Sequence, residues 1–350
     1  MIVDQENRAL TMLDVGEKGF ISSLKPLLTQ SGNFVNGFGH DVSVIDLGFE
    51  DLVAFKIDRA SRPVLLDLGV NDYAIWGRLA AVANISDMAA GGAVPQAIML
   101  SLVLPRNFCA EDARNIVLGC QAACNEHGVS FVGGDTKEGG GVEVIGAAIG
   151  RVGRDRYWSR KKADVGDVLY VTGKLGGAGA SMVLMGEFGG LRREECIRVL
   201  SMPTVDLAIA SELRACGLVF SACDLSDGLA DAVELFCSDK VGIILEAARF
   251  PLHELAELVG VMKDCDPWKL AFAVGDWGLA FVVKAEDVDE FERRISGSDR
   301  CSKVGTFTRG ASRSVALVSG VAPLPMIRNE HFRSRLEDGA SFLSGAFVDP

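Results

Sequence analysis

The chain has 350 residues, 49% of them hydrophobic and 23% charged, with 40 glycines and a formal net charge of −12 at pH 7. This length supports two domains with their own cores, and the balance of residue types excludes a disordered chain. The acidic balance excludes a broad nucleic-acid surface, which needs a basic patch, but not an anionic small molecule, because bound cations invert a local field.

The first residues include Asp4 and Glu6, with no basic region before an apolar core, so no secretory signal is expected. Residues 42–47 and 52–58 are apolar or alternating and predict two strands, with Asp58 closing the second. From Asp72 to Ala90, Ile75, Leu79, Val82, Ile85 and Met88 follow helical spacing; Gly91-Gly92 ends that helix and Pro95 blocks its continuation. The longest apolar stretch, Val94 to Leu104, is too short to span a bilayer and is predicted as a strand from Gln96. A helix over 110–127, a strand at 129–132 delivering Gly133-Gly134-Asp135, and a strand at 142–152 complete an α+β layer.

Basic residues accumulate from Arg151 to Lys162, which marks a domain boundary. The second half predicts strands at 167–172, 219–223, 241–245 and 278–283 and a closing pair. Helices are predicted near 178–187, 192–200, 204–216, 227–237, 252–263 and 286–296, after a glycine-rich turn at 173–179. The expected organisation is an N-terminal segment (1–30), a first domain (31–155), a second domain (156–320), and a tail (321–350) docked through Phe332, Phe342 and Phe347.

Six acidic residues fall at expected sharp turns beside glycine or another small residue: Asp41, Asp58, Asp87, Asp135, Asp224 and Asp227. Clustered carboxylates repel and take up protons unless cations hold them ionised. Sharing among Mg²⁺ ions and a polyphosphate is a common reason to keep such a set together, so ATP-dependent phosphoryl transfer is the expected chemistry. Each motif also has a plain structural alternative. Gly133-Gly134-Asp135-Thr136 is either a phosphate and metal contact or an ordinary Asx turn. Asp224-Leu225-Ser226-Asp227-Gly228 is either a ligand-binding helix start or a simple N-cap. Asn84-Ile85-Ser86-Asp87 is either a ligand contact or an exposed polar face.

The common nucleotide loops fail. Position 168 is Val and Leu175 follows Lys174, so no phosphate-loop spacing exists, and Gly37-x-Gly39 lacks a third glycine at position 42. His40, His127, His253 and His331 are scattered and read as surface or satisfied core residues. Neither Cys120/Cys124 nor Cys216/Cys223 has a histidine at metal-site spacing, so the nine cysteines read as buried, reduced thiols of a cytoplasmic protein.

Taken together and in order, Val15 to Ile21, Gly37-Phe38-Gly39-His40-Asp41, Ile57-Asp58, Ala83 to Pro95, Gly133-Gly134-Asp135-Thr136, Gly166-Asp167 with Val171-Thr172-Gly173, and Asp224 to Leu229 resemble the thiamine-monophosphate kinase family. That family falls in the superfamily of aminoimidazole ribonucleotide synthetase, selenophosphate synthetase and the hydrogenase maturation protein that dehydrates a carbamoyl thiol. The resemblance implies an α+β, two-domain PurM-like (AIR synthetase-like) fold and a homodimer whose N-terminal strands form an interface barrel. It implies Mg-ATP in a cleft between those strands and the second domain. Matched position by position, all six acids become Mg²⁺ ligands, Asp135 and Asp227 also catalytic, with Asp41, Gly134, Thr136, Arg160 and Ser226 contacting ATP. The acceptor is a small metabolite lying near Asp276 and Trp277; no nucleic acid or membrane partner is expected.

The acceptor half departs from the family pattern. His40 replaces an aspartate, Lys56-Ile57 replaces Ser-Thr, Leu65 stands near an expected histidine, and Ala273-Val274-Gly275-Asp276-Trp277-Gly278-Leu279 lacks two glutamates. A site built on hydrogen bonds rejects ligands that cannot use it, so altered acceptor specificity is expected. Two alternatives stand beside the kinase: ATP-driven dehydration or cyclisation of an amide-type substrate, and ATP binding without catalysis.

Overall fold

The computed structural model describes residues 11–29, 32–37, 39–295 and 300–325; His331 and the three tail phenylalanines lie outside the described residues. Helix α1 (Met12–Leu24) leads into β1 (Phe34–Asn36), β2 (Ser43–Ile45), β3 (Leu52–Ala60), the short α2 (Val64–Asp67), α3 (Ala74–Ala90), β4 (Val94–Leu104), α4 (Ala110–Glu126), β5 (Ser130–Glu138) and β6 (Glu143–Val152). These strands form one sheet in the order β1-β2-β3-β6-β4-β5. Only β4 and β5 run parallel, and α4 makes the crossover that a parallel pair requires. The sheet is open, with β1 and β5 as edges, so the barrel implied by the resemblance is not closed within the chain.

Two expected turns are instead element interiors, and Asp87 lies late in the helix expected there. Asp58 lies inside β3 and Asp135 inside β5, which continues well past Val132. Gly133, at φ +116, sits where the β4–β5 register shifts between Ile98 and Leu100. A Cβ on Gly134 would lie 1.7 Å from the Leu100 carbonyl oxygen. The glycine pair therefore serves strand packing, whatever else it does.

Along β3 the even positions are buried or half-buried and the odd positions face outward, so Lys56 and Asp58 point to the side on which α3 packs. Of the 17 residues of α3, fourteen are buried, including Asn84, Ser86 and Asp87. The reading of Asn84-Ile85-Ser86-Asp87 as an exposed polar face is thereby excluded. Helix α3 is enclosed because it lies between the first sheet and a second one. A single hydrophobic cluster runs from Val44, Leu52 and Ile98 through Ile85 and Met88 to Tyr170 and Phe281.

The second half holds β7 (Val168–Thr172), α5 (Gly177–Glu187), α6 (Arg193–Ser201), α7 (Leu207–Cys216), β8 (Val219–Asp224) and α8 (Leu229–Phe236). It continues with β9 (Val241–Glu246), α9 (Glu254–Lys263), β10 (Leu279–Val283), α10 (Val288–Ile295), β11 (Cys301–Leu317) and β12 (Gly320–Pro323). The sheet order is β12-β11-β7-β10-β8, with β9 added in parallel to β11. Its far face carries a second core around Leu229, Phe236 and Phe272, and α5, α6 and α9 share a third. Each sequence-predicted strand and helix of this half is present within a few residues.

Candidate active site

The acid cluster forms where three elements meet. Asp41 stands just before β2, Asp87 is on α3, and Asp224 ends β8. Each offers a carboxylate oxygen within 4.8 Å of the other two. Ser86 Oγ donates to Asp224 Oδ2 at 3.0 Å and joins α3 to β8. Burial and the Asp224 charge push Asp87 well above the usual carboxylate range, against the pull of Lys56. Burial and the Asp41 charge push Asp224 up to about 6, although Ser226 and Ser86 hydrogen-bond its charged form. Three hard oxygen donors converging in one spot, two of them pushed toward the neutral form by burial and neighbouring charge, suit a small divalent cation. Asn84 Oδ1, one turn earlier on the same helix, is buried and has no hydrogen-bond partner among the described residues.

Two side-chain cations already contact the cluster. Arg160 grips Asp41 with both prongs of its guanidinium, Nε to Oδ2 at 3.0 Å and Nη2 to Oδ1 at 2.6 Å. Its loop is fixed by Ser221 on β8, whose hydroxyl accepts from the Lys161 N–H at 2.8 Å and donates to the Ser159 carbonyl at 2.7 Å. The Arg160 N–H donates to His40 Nδ1 at 3.2 Å, and burial lowers the pKa of that imidazole. His40 thus belongs to the site as a neutral acceptor, which its isolated position in the sequence did not suggest.

Lys56 is the second cation. Its Nζ lies 2.8 Å from Asp87 Oδ2 and 3.5 Å from Asp58 Oδ2, and its side chain is 23% exposed. Burial opposes its charge, but Asp87 and Asp58 outweigh that and hold it protonated, above the ordinary lysine value. Asp58 therefore joins the cluster through Lys56.

The remaining predicted residues are placed differently. Asp227 is exposed at the turn after β8, and its charge adds to the upward push on Asp224. Ser226 is half-buried in the same turn. Asp135 is not brought to the cluster. It sits in register with Ser101, Ile145 and Arg59, one row from the Asp58–Gly146–Leu100–Gly134 row. Strand alternation therefore turns its side chain to the opposite face, three strands or ~14 Å from β3. Asp135, Gly134 and Thr136 are all exposed.

The acceptor-side segment abuts this turn. The Gly275 N–H donates to the Ser226 carbonyl and the Leu225 N–H to the Gly278 carbonyl, each at 2.9 Å. Asp276 is buried, and its carboxylate accepts from the backbone N–H groups of Gly176 and Ala178 at the start of α5. Burial raises its pKa to about 7, against three amide hydrogen bonds from residues 176–178. Its carboxylate anchors the glycine-rich turn that opens α5. Trp277 is half-buried against the main core.

The other two histidines among the described residues behave as the sequence suggested. His127 bonds Ala123, Thr204 and Val205, and His253 caps α9 through Nδ1. The nine cysteines are free; six are buried, but Cys109 is exposed.

The chain belongs to the AIR synthase related protein family. The family's N-terminal domain matches residues 39–152 and its C-terminal domain residues 164–318. Within it, the chain is similar to the thiamine-monophosphate kinase of Pyrococcus horikoshii, at 32% identity over 261 residues, 73% of this chain and 79% of that one. Among solved structures it is similar to AaThiL complexed with AMPPCP and TMP, at 22% identity and TM-score 0.73, covering 88% and 95% of the two chains. It is also similar to the E. coli hydrogenase maturation protein HypE, at 19% identity and TM-score 0.60, covering 88% and 96%. These two likenesses establish the two-domain fold. Among the described residues, no helix is long and apolar enough to cross a membrane.

Proposed function

We propose that this chain is an ATP-dependent phosphotransferase of the thiamine-monophosphate kinase type, with a diverged pocket for a small acceptor. One observation carries the reading: Asp41, Asp87 and Asp224, from both halves of the fold, converge within 4.8 Å. The kinase name of the relative from Pyrococcus horikoshii and the AMPPCP and TMP in the AaThiL complex support it.

Asp41, Asp87 and Asp224 would hold Mg²⁺, which supplies charge neutralisation at the phosphates when bound. Arg160 holds Asp41 in place and brings a planar fork suited to phosphate oxygens. Ser86 fixes the orientation of Asp224. Asp58 reaches the cluster through Lys56, and Asp227 adds negative potential at the rim. The Asp224–Gly228 turn and the Gly275–Gly278 turn are hydrogen-bonded to one another, so nucleotide and acceptor sides are mechanically coupled. Transfer by positioning and electrostatics needs no strong base, consistent with a neutral His40. Trp277 offers an aromatic face to the acceptor, while Gly275 and Gly278 stand where relatives of this type carry glutamates.

The outer face of the first sheet exposes Phe55, Ile57, Met99, Val132 and Ile149. An apolar face of this kind supports pairing with a second copy of the chain. Asp135 lies on that same face and would serve a site completed by the partner. The free cysteines support a reducing, cytoplasmic setting.

Phosphorus NMR with Mg-ATP, with and without thiamine monophosphate and other small phosphorylated acceptors, tests the proposal. A new phosphorylated product together with ADP supports it. Free phosphate with a phosphate-free product would replace it by dehydration chemistry.

A further inference from the structure

Lys56 occupies a place that carboxylate clusters usually leave to a metal ion. Its ammonium lies between Asp87 Oδ2, at 2.8 Å, and Asp58 Oδ2, at 3.5 Å. Both contacts come from fixed backbone, since Lys56 and Asp58 share one face of β3 and Asp87 is on the buried helix packed against that face. The stem is largely enclosed, so the charge cannot swing away as a surface lysine would. A divalent cation bridging Asp58 and Asp87 needs ligand oxygens at roughly 2.1 Å on either side, the space the ammonium fills. The ammonium would also repel a cation in that gap. Of the acids at the opposite edge, Asp87 pairs with Lys56, while Asp41 is paired with Arg160 and Asp224 accepts from Ser86.

We infer that Lys56 is a tethered replacement for one divalent cation. It neutralises the Asp58–Asp87 edge permanently and leaves Asp41–Asp87–Asp224 as the metal-binding edge. The chain therefore loads nucleotide with one metal ion fewer than the same acid set would take without the lysine. Lys56 is a positioning residue here, since its action on the phosphates passes through the arrangement of Asp58 and Asp87. The inference rests on the phosphotransferase reading above.

The test is a count. Mn²⁺ bound per chain is measured by electron paramagnetic resonance in the presence of AMPPCP for the full chain, Lys56→Ser and Lys56→Arg. The Ser variant is expected to bind one more Mn²⁺ than the unmodified chain, and the Arg variant the same number. Lys56→Met, which removes the charge but keeps an apolar stem, gives the same gain if the Ser variant does not fold. Equal counts in the uncharged variants and the unmodified chain would overturn the inference alone. No nucleotide-dependent Mn²⁺ in any of the proteins would overturn the phosphotransferase reading as well.

Discussion

The site has two edges that treat buried carboxylates in opposite ways. On the proposed nucleotide side, Asp41, Asp87 and Asp224 face one another and are held by side-chain cations or hydroxyls. On the acceptor side, Asp276 faces backbone amides, which bind it into the fold. The same residue type is a ligand reserve in one place and a structural clasp in the other. What decides is the partner: carboxylates held by other side chains face one another and keep oxygens turned to a shared point, but one that accepts from a helix N-terminus is tied into the backbone.

Mutation should separate the two edges most sharply at the nucleotide side. Asp87→Asn or Asp224→Asn is expected to lower kcat by ~10³-fold or more, because charge stabilisation at the phosphates is lost. Steady-state kinetics at saturating Mg-ATP, with circular dichroism confirming the fold, checks this. Arg160→Lys keeps the charge but loses the bidentate geometry on Asp41, and a fall of ~10²-fold in kcat/KM for ATP is expected. Unaltered kinetics in that variant would remove Arg160 from the site.

Asp276→Ala should act on stability first. It leaves buried amides at the start of α5 without an acceptor, and Tm is expected to drop by about 4–8 °C. Trp277→Phe, by contrast, is expected to raise KM for the acceptor several-fold with a smaller change in Tm. If both variants altered only KM, the clasp assigned to Asp276 would be wrong.

The smallest effect is a pH dependence that both edges share in the metal-free protein. Asp224 at about 6 and Asp276 at about 7 both lie above the ordinary carboxylate value of 3.8. Native protein therefore binds more protons than unfolded protein, and stability present at low pH is lost as pH rises through those values. In chelator, Tm should fall between about pH 4 and 7. Mg²⁺ should restore the part owed to Asp224, and Asp276→Asn should flatten the rest. A Tm that rises over this range would contradict the assignment of both groups.

Much of this was legible in the sequence. The helix over α3 followed from its apolar spacing, and the family motifs pointed to Asp41, Asp87 and Asp224 together. Local pattern could not show that α3 is enclosed on both sides, because that burial comes from a sheet whose first strand starts at Val168, far beyond the helix end at Ala90. Turn chemistry misled at Asp58, which lies inside β3, and at Asp135, where the neighbouring glycines serve strand packing rather than chain reversal. Strand parity then separated Asp135 from the other acids, a consequence of register that no residue signals alone. Lys56 stood out in the sequence as a departure from the family pattern, but its ion pairs required the α3–β3 packing.

The most direct test of the central claim is a crystal structure of the chain with AMPPCP and Mn²⁺, read from the anomalous scattering of the metal. The account predicts metal density among the carboxylates of Asp41, Asp87 and Asp224, with the nucleotide phosphates beside it. Nucleotide bound with no metal at those three residues would contradict it.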